Sequence, residues 1–232
     1  MLPKIELPLF SFNRPSNNEQ VFFRPYRVKE EKILLIANES EDPIDYLLAI
    51  RQVVNNCCQI EDDIMQWPPF DLEYAFLKIR SKSVGNEVEL KYRDFSDNKI
   101  YSFTIDLDSI EVNIPENHTN IIKISNDIFI KMKYPTYEIE KDLSKDFSNP
   151  DNLIAYVKAC VDYIADSDNV YTMNDYSDKD VLSWLEDLPA SSFENIVDFF
   201  DTIPVLTHDL KYTDSAGTEK TIPLRGIKDF FQ

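Results

Sequence analysis

The chain of 232 residues is long enough for one large domain or two small ones, and long enough to bury a core without disulfide or metal staples. Its 42 Asp and Glu outnumber 24 Lys and Arg, a net charge of −18 that repels phosphate backbones and anionic lipid headgroups, so nucleic acid and membrane are poor partners. With 43% hydrophobic residues, 15 Phe and 12 Tyr, the chain carries too much apolar material to stay disordered.

Residues 4–27 alternate around Asn13-Arg14-Pro15-Ser16-Asn17-Asn18 and predict two strands and a turn. From Val28 the period becomes helical. Ile33, Leu34 and Ile36 mark a short helix, Pro43 opens a second that runs through Cys57, and Phe70–Ser83 forms a third that stops before Gly85. Leu72, Ala75, Phe76 and Ile79 are its expected core face. Period two returns at Val88–Tyr92, Ile100–Leu107, Ile121–Ile124 and Ile128–Met132, predicting about two hairpins.

Residues 138–201 read as helical again. One face carries Leu153, Val157, Cys160, Val161 and Ile164, the next Val181, Trp184, Leu185 and Leu188, and the last Phe193, Ile196, Val197 and Phe200. This stretch holds 16 acidic residues against 4 Lys, a net of −12, which suits either a solvated helical face or a surface for a basic partner. A last hairpin, Leu206–Tyr212 and Thr218–Leu224, precedes the amphipathic tail Ile227-Lys228-Asp229-Phe230-Phe231. Leu90-Lys91-Tyr92-Arg93-Asp94 and Leu210-Lys211-Tyr212-Thr213-Asp214 resemble each other, as an old duplication or as two similar turns.

The fold class is therefore α+β, helical segments with small antiparallel hairpins. We place an N-terminal α+β part with two hairpins at 1–136. An acidic helical part with a terminal hairpin and short helix follows at 137–232, and the two can pack as one unit.

Scarce residues exclude several chemistries. Gly85, Gly217 and Gly226 are too far apart for a dinucleotide fingerprint or a phosphate loop, and no nucleophile elbow is present. His118 and His208 have no second His or Cys at metal spacing, and Cys57, Cys58 and Cys160 read as core packing in a reducing compartment. Asp106 and Asp108 could share one face of a strand for acid–base work, but with 42 acidic residues such pairs arise by chance. The N-terminus has no uncharged run of signal-peptide length, and no stretch approaches a membrane span. Local spacing thus supplies no ready site for these chemistries.

Three long motifs bring a family into view: Leu2-Pro3-Lys4-Ile5-Glu6-Leu7-Pro8, Phe23-Arg24-Pro25-Tyr26-Arg27-Val28-Lys29-Glu30-Glu31-Lys32-Ile33-Leu34-Leu35, and Phe70-Asp71-Leu72-Glu73-Tyr74 through Arg80-Ser81-Lys82-Ser83-Val84-Gly85. Together with Asp106-Leu107, Met132-Lys133-Tyr134-Pro135 and the Phe230-Phe231 terminus, they resemble the T4-type bacteriophage baseplate hub assembly family over most of the chain. The resemblance implies a non-enzymatic protein made in the host bacterial cytoplasm, with no catalytic residues, no cofactor and no small-molecule substrate. It would bind other baseplate hub proteins while the hub of a contractile tail assembles, with a structural subunit retained in the virion as the alternative. Some relatives place Cys pairs in one or both hairpins, like a zinc ribbon; Tyr92–Asp97 and Tyr212–Gly217 contain none, so no metal is carried over and turn chemistry must hold the hairpins. An acidic nucleic-acid mimic that inhibits a host protein is a remote reading, since mimicry needs carboxylates spaced like phosphates along an exposed face.

For a protein that works by its surfaces, the candidate interface residues are rigid aromatic anchors and their flanks: Trp67, Pro68, Pro69 and Phe70 before the third helix, and Phe230 and Phe231 at the terminus. Each of these can equally pack into the protein's own core.

Overall fold

The computed structural model describes residues 3–40, 43–143 and 146–231; Leu2 of the first motif and Lys145 of the acidic stretch lie outside them. The chain divides into two compact units, Met1–Asn113 together with Val205–Gln232, and Ile114–Pro204.

In the first unit, strands β1 (Phe10–Asn13) and β2 (Gln20–Phe23) pair antiparallel, with Phe10 opposite Phe23 and Phe12 opposite Val21. Alternation buries Phe12, Val21 and Phe23 and leaves Phe22 exposed. Helices α1 (Val28–Asn38), α2 (Pro43–Cys57) and α3 (Pro69–Ser83) follow, and β3 (Cys58–Gln59) extends the first sheet by pairing with β2. Helix α1 starts where the Arg27 backbone N–H donates to Glu30 Oε2 at 2.8 Å, the reciprocal half of a capping box. Helix α3 is the centre of this unit. Its predicted face, Leu72, Ala75, Phe76 and Ile79, is buried, and so are Phe70, Tyr74 and Leu77, so the helix is covered on nearly all sides.

Strands β4 (Glu87–Asp94) and β5 (Lys99–Asp106) form the next hairpin, and β6 (Val112–Asn113) ends this stretch. The second unit then intervenes. Strands β7 (Ile121–Lys123) and β8 (Phe129–Met132) precede helices α4 (Tyr137–Asp142) and α5 (Pro150–Cys160). Strands β9 (Val161–Ala165) and β10 (Val170–Thr172) complete a four-stranded sheet of order β10-β9-β8-β7, and helices α6 (Asp178–Glu186) and α7 (Ala190–Asp201) close the unit. Its core joins Ile130, Met132, Val157, Cys160, Val161, Leu185, Ile196 and Phe199.

The chain returns to the first unit through β11 (Val205–Thr213) and β12 (Glu219–Arg225). Val205 pairs with Asn113 and Leu206 with Val112, so the residues that leave the unit and those that re-enter it share one ladder. Gly226, at φ +69°, turns the chain into the 3-10 turn Ile227–Phe230.

The α+β class agrees with the sequence reading; two of its details change. A continuous helical face through Ile164 was expected, but α5 stops at Cys160 and Val161–Ala165 is strand, with Ile164 opposite Ile130. The open edge of β8 offers this β-branched run a ladder that helical periodicity cannot reveal. The contacts also do not divide the chain at 136/137, which falls inside the second unit. The terminal hairpin belongs with β4–β5, because pairing across ninety residues of chain outweighs proximity in sequence.

Candidate protein interface

Four of the six sequence candidates are closed into the first unit. Trp67 is 2% exposed; its indole N–H donates to Asp62 Oδ2 at 3.0 Å, and the Arg14 guanidinium lies 4.6 Å from its ring centroid. Arg14 in turn donates to Asp62 at 2.6 Å and pairs with Glu19 at 2.7 Å. Trp67 is thus a buried indole with its one donor satisfied, covered by an Arg14 whose carboxylate partners Glu19 and Asp62 stand at the surface. Pro68 is buried, and Pro69 is the first residue of α3, where a missing N–H costs nothing. Phe70 is 3% exposed and Phe230 is fully buried. Trp67, Pro68, Phe70 and Phe230 thus take the core-packing alternative, buried within the unit.

Phe231 differs. It is partly buried, meets Phe76 edge-on at 6.1 Å between centroids, and lies 5.8 Å from the Arg80 guanidinium. It forms one wall of an open cleft of about 280 Å³ whose other walls include Tyr26, Leu34, Leu35, Tyr46 and Val84. Arg80 and Glu31 stand in the same cleft. Burial raises the Tyr26 and Tyr46 hydroxyls above their usual range, so at neutral pH this lining is uncharged apart from Arg80 and Glu31.

The helices that wall the cleft also carry exposed apolar side chains that the sequence did not single out. Leu35 and Ile36 on α1 are 61% and 62% exposed, Val28 is 79% exposed, and Ile44 and Leu48 on α2 are exposed as well. A legible signal was present: Val28, Ile33, Leu34, Leu35 and Ile36 place apolar groups around all sides of α1, more than one buried stripe can absorb. Apolar groups grouped in this way on a surface helix are a mark of interaction sites.

Asp106, Asp108, the three cysteines and His118 are each held in local packing or hydrogen bonding. Asp106 accepts from the Asp108 backbone N–H at 3.0 Å and caps a short turn, while Asp108 pairs with Lys82 at 2.7 Å and accepts from Ser81 at 2.8 Å. Burial pushes the Cys57 thiol up to about 11 and Cys58 and Cys160 to about 12, so all three are neutral packing groups at pH 7. His118 lies 3.0 Å from Thr202 Oγ1 and 2.8 Å from the Tyr134 hydroxyl and stacks on Tyr134 and Phe199, and burial lowers its pKa. Among the described residues, no group of three His, Cys, Asp or Glu is arranged to hold a metal ion, and no helix is long and apolar enough to cross a membrane.

No curated protein and no solved structure matches the chain. The family model described as T4 bacteriophage base plate protein matches residues 7–232, from the first strand's approach to the terminal aromatic pair. Helix α1 with its exposed apolar groups, the Phe231 cleft and both hairpins all fall within that match: the chain belongs to the T4 bacteriophage base plate protein family.

Proposed function

We propose that this baseplate protein is a non-enzymatic assembly factor that binds hub subunits while the baseplate forms. The observation that carries the reading is the set of exposed apolar side chains on α1 and α2, Leu35, Ile36, Ile44 and Leu48, of which Leu35 also lines the Phe231 cleft, in a chain of net charge −18. Such a surface suits a protein partner, because burying apolar area drives association and surrounding charge suppresses self-association. Its partners are other baseplate proteins of the same phage. The host bacterial cytoplasm is where it would act.

The alternative within the family is a structural subunit that stays in the virion. Quantitative mass spectrometry of infected-cell lysate, isolated hub and baseplate intermediates, and purified virions separates the two. Presence in intermediates and loss from virions is the expected result. Retention at a whole-number ratio to hub proteins would make it a permanent subunit and overturn the assembly-factor reading.

A further inference from the structure

The second unit carries an apolar groove of its own, about 310 Å³, walled by Ile164, Tyr171, Met173, Tyr176, Val181 and Trp184. Among the described residues, Asp180 is the one charged side chain that lines it. The walls are held in place: the Tyr171 hydroxyl donates to Asp166 Oδ2 at 2.6 Å, and its ring meets that of Tyr176 at 6.2 Å. Tyr176 and the neighbouring Val170 are exposed.

Asp180 lines this groove, Asp166 accepts from its wall residue Tyr171, and further acidic residues flank the wall residues in sequence. Residues 162–180 contain six Asp and one Lys, and Asp168, Asp175, Asp178 and Asp180 are exposed. Asp175 stands between the wall residues Met173 and Tyr176. Asp178 pairs with Lys158 at 2.8 Å, and Asp180 accepts from Ser177 Oγ at 2.6 Å, which leaves the local charge negative.

We infer that this groove receives a large apolar side chain from a basic segment of a partner protein, with flanking Lys or Arg facing the Asp rim. The inference rests on the reading of the chain as a binder of baseplate proteins and assigns the second unit a surface within it. Three features select this occupant. An apolar floor takes an aliphatic or aromatic anchor, whereas a polar small molecule would meet only one carboxylate to orient it. Aromatic walls beside carboxylates favour cationic flanks, through both charge and ring faces. A second copy of the chain, itself at −18, would bring like charge to the rim.

The test uses the full chain and three synthetic pentapeptides with blocked ends: Lys-Lys-Trp-Lys-Lys, Glu-Glu-Trp-Glu-Glu and Lys-Lys-Gly-Lys-Lys. Binding is followed by NMR at the Met173 methyl and the Trp184 indole. The expected result is that only the first peptide shifts both signals, and that its Kd rises about threefold or more between 50 and 300 mM salt. Met173→Lys, which fills the groove and adds a positive charge, should abolish binding; Asp175→Lys, on the exposed rim, should weaken it with the groove intact. Equal binding of the acidic peptide, equal binding of the glycine peptide, or shifts confined to other residues would each overturn the proposal.

Co-expression with the phage's baseplate proteins then separates the two levels. If the wild-type chain associates and Met173→Lys associates equally well, the groove is not the contact and the baseplate-binding reading stands. If the wild-type chain associates with none of them, that reading falls, while the peptide series still decides for or against the groove.

Discussion

The Lys220 ammonium lies 2.6 Å from Asp94 Oδ2, joining the base of the β11–β12 turn to that of the β4–β5 turn across 126 positions in sequence. Around this pair the two similar hairpins meet tip to tip. Lys220 also reaches Ser96 Oγ at 2.6 Å and Asp214 at 3.2 Å. Tyr212 donates to Asp94 at 2.8 Å, and Ser215 donates to Asp97 through both its N–H, at 3.1 Å, and its hydroxyl, at 2.8 Å. The Tyr101 and Tyr212 rings close the arrangement at 4.5 Å. One ammonium between two turn carboxylates thus joins hairpins that contain no cysteine.

The Lys220 hydrogen bond, with those from Ser96, holds the Asp94 carboxyl well below the usual carboxylate range. A depressed carboxylate adds stability above its unfolded pKa, ordinarily 3.8, and that contribution is lost as pH falls below it. Lys220→Met should therefore speed amide exchange at Ser96 and Ser215 at pH 7. It should also flatten the acid dependence of exchange in these turns below about pH 4. Unchanged exchange in the variant would mean that ring packing alone holds the tips.

Asp71 shows the opposite sign. It sits in the first turn of α3, fully buried, and accepts from Ser16 through the backbone N–H at 3.0 Å and through the hydroxyl. Burial dominates these bonds and the Arg14 charge at 3.9 Å, and pushes Asp71 up to about 6. The folded state therefore binds the extra proton between pH 3.8 and about 6, and stability at this site falls as pH rises through that window. Asp71→Asn keeps an acceptor for Ser16 and removes the titration. Relative to wild type it should gain up to about 3 kcal/mol between pH 4 and 7, read by denaturant unfolding across that range. A constant difference across the range would show that Asp71 does not titrate there.

The helices and hairpins of the first unit were legible because their signals are local. The spacing of Leu72, Ala75, Phe76 and Ile79 identifies α3, Pro43 marks the start of α2, and the Asp97-Asn98 turn sets the β4–β5 register, with Asn98 at φ +57°. Features fixed by partners distant in the chain were not legible. Strands β3 and β6 are two residues each and exist only because β2 and β11 offer ladders, and the switch from α5 to β9 depends on the edge of β8. Which apolar groups stay at the surface was not legible for the same reason. Trp67 and Phe70 look like exposed anchors until Arg14, Asp62 and the α3 core are brought around them, whereas Leu35 and Ile36 look like core until the fold leaves them outside.

The terminal aromatic pair separates core from surface within two residues. Phe230 is fully buried, so Phe230→Ala should cost about 3–5 kcal/mol by lost burial and the cavity left behind. Phe231→Ala should cost much less in stability, because its ring is only partly covered, but it removes a wall of the cleft shared with Leu35 and Val84. Denaturant unfolding of the two variants, together with their association with baseplate proteins, distinguishes the roles. Equal loss of stability in both would mean that Phe231 is also core.

His118 makes the second unit sensitive to mild acid. Thr202 Oγ1 donates to the Asp198 carbonyl at 2.8 Å, so it accepts from His118 Nδ1–H, and Nε2 is left to accept from the Tyr134 hydroxyl. That arrangement requires the neutral ring, in keeping with the lowered pKa that burial gives it. A depressed histidine contributes stability above its unfolded pKa, ordinarily 6.5, and loses it as pH falls through the folded value, since the extra proton puts a charge in a partly buried site and reverses the direction of the Tyr134 hydrogen bond. Amide exchange in β7, β8 and α7 should therefore accelerate as pH falls below 6.5, while α3 in the first unit, whose buried Asp71 gains stability as it takes up a proton below about pH 6, should not follow the same course. His118→Gln, which can still accept from Tyr134 and donate to Thr202 but does not titrate, should remove the acceleration. If the variant and the wild type show the same pH course, the acid sensitivity of this unit lies in its carboxylates and not in His118.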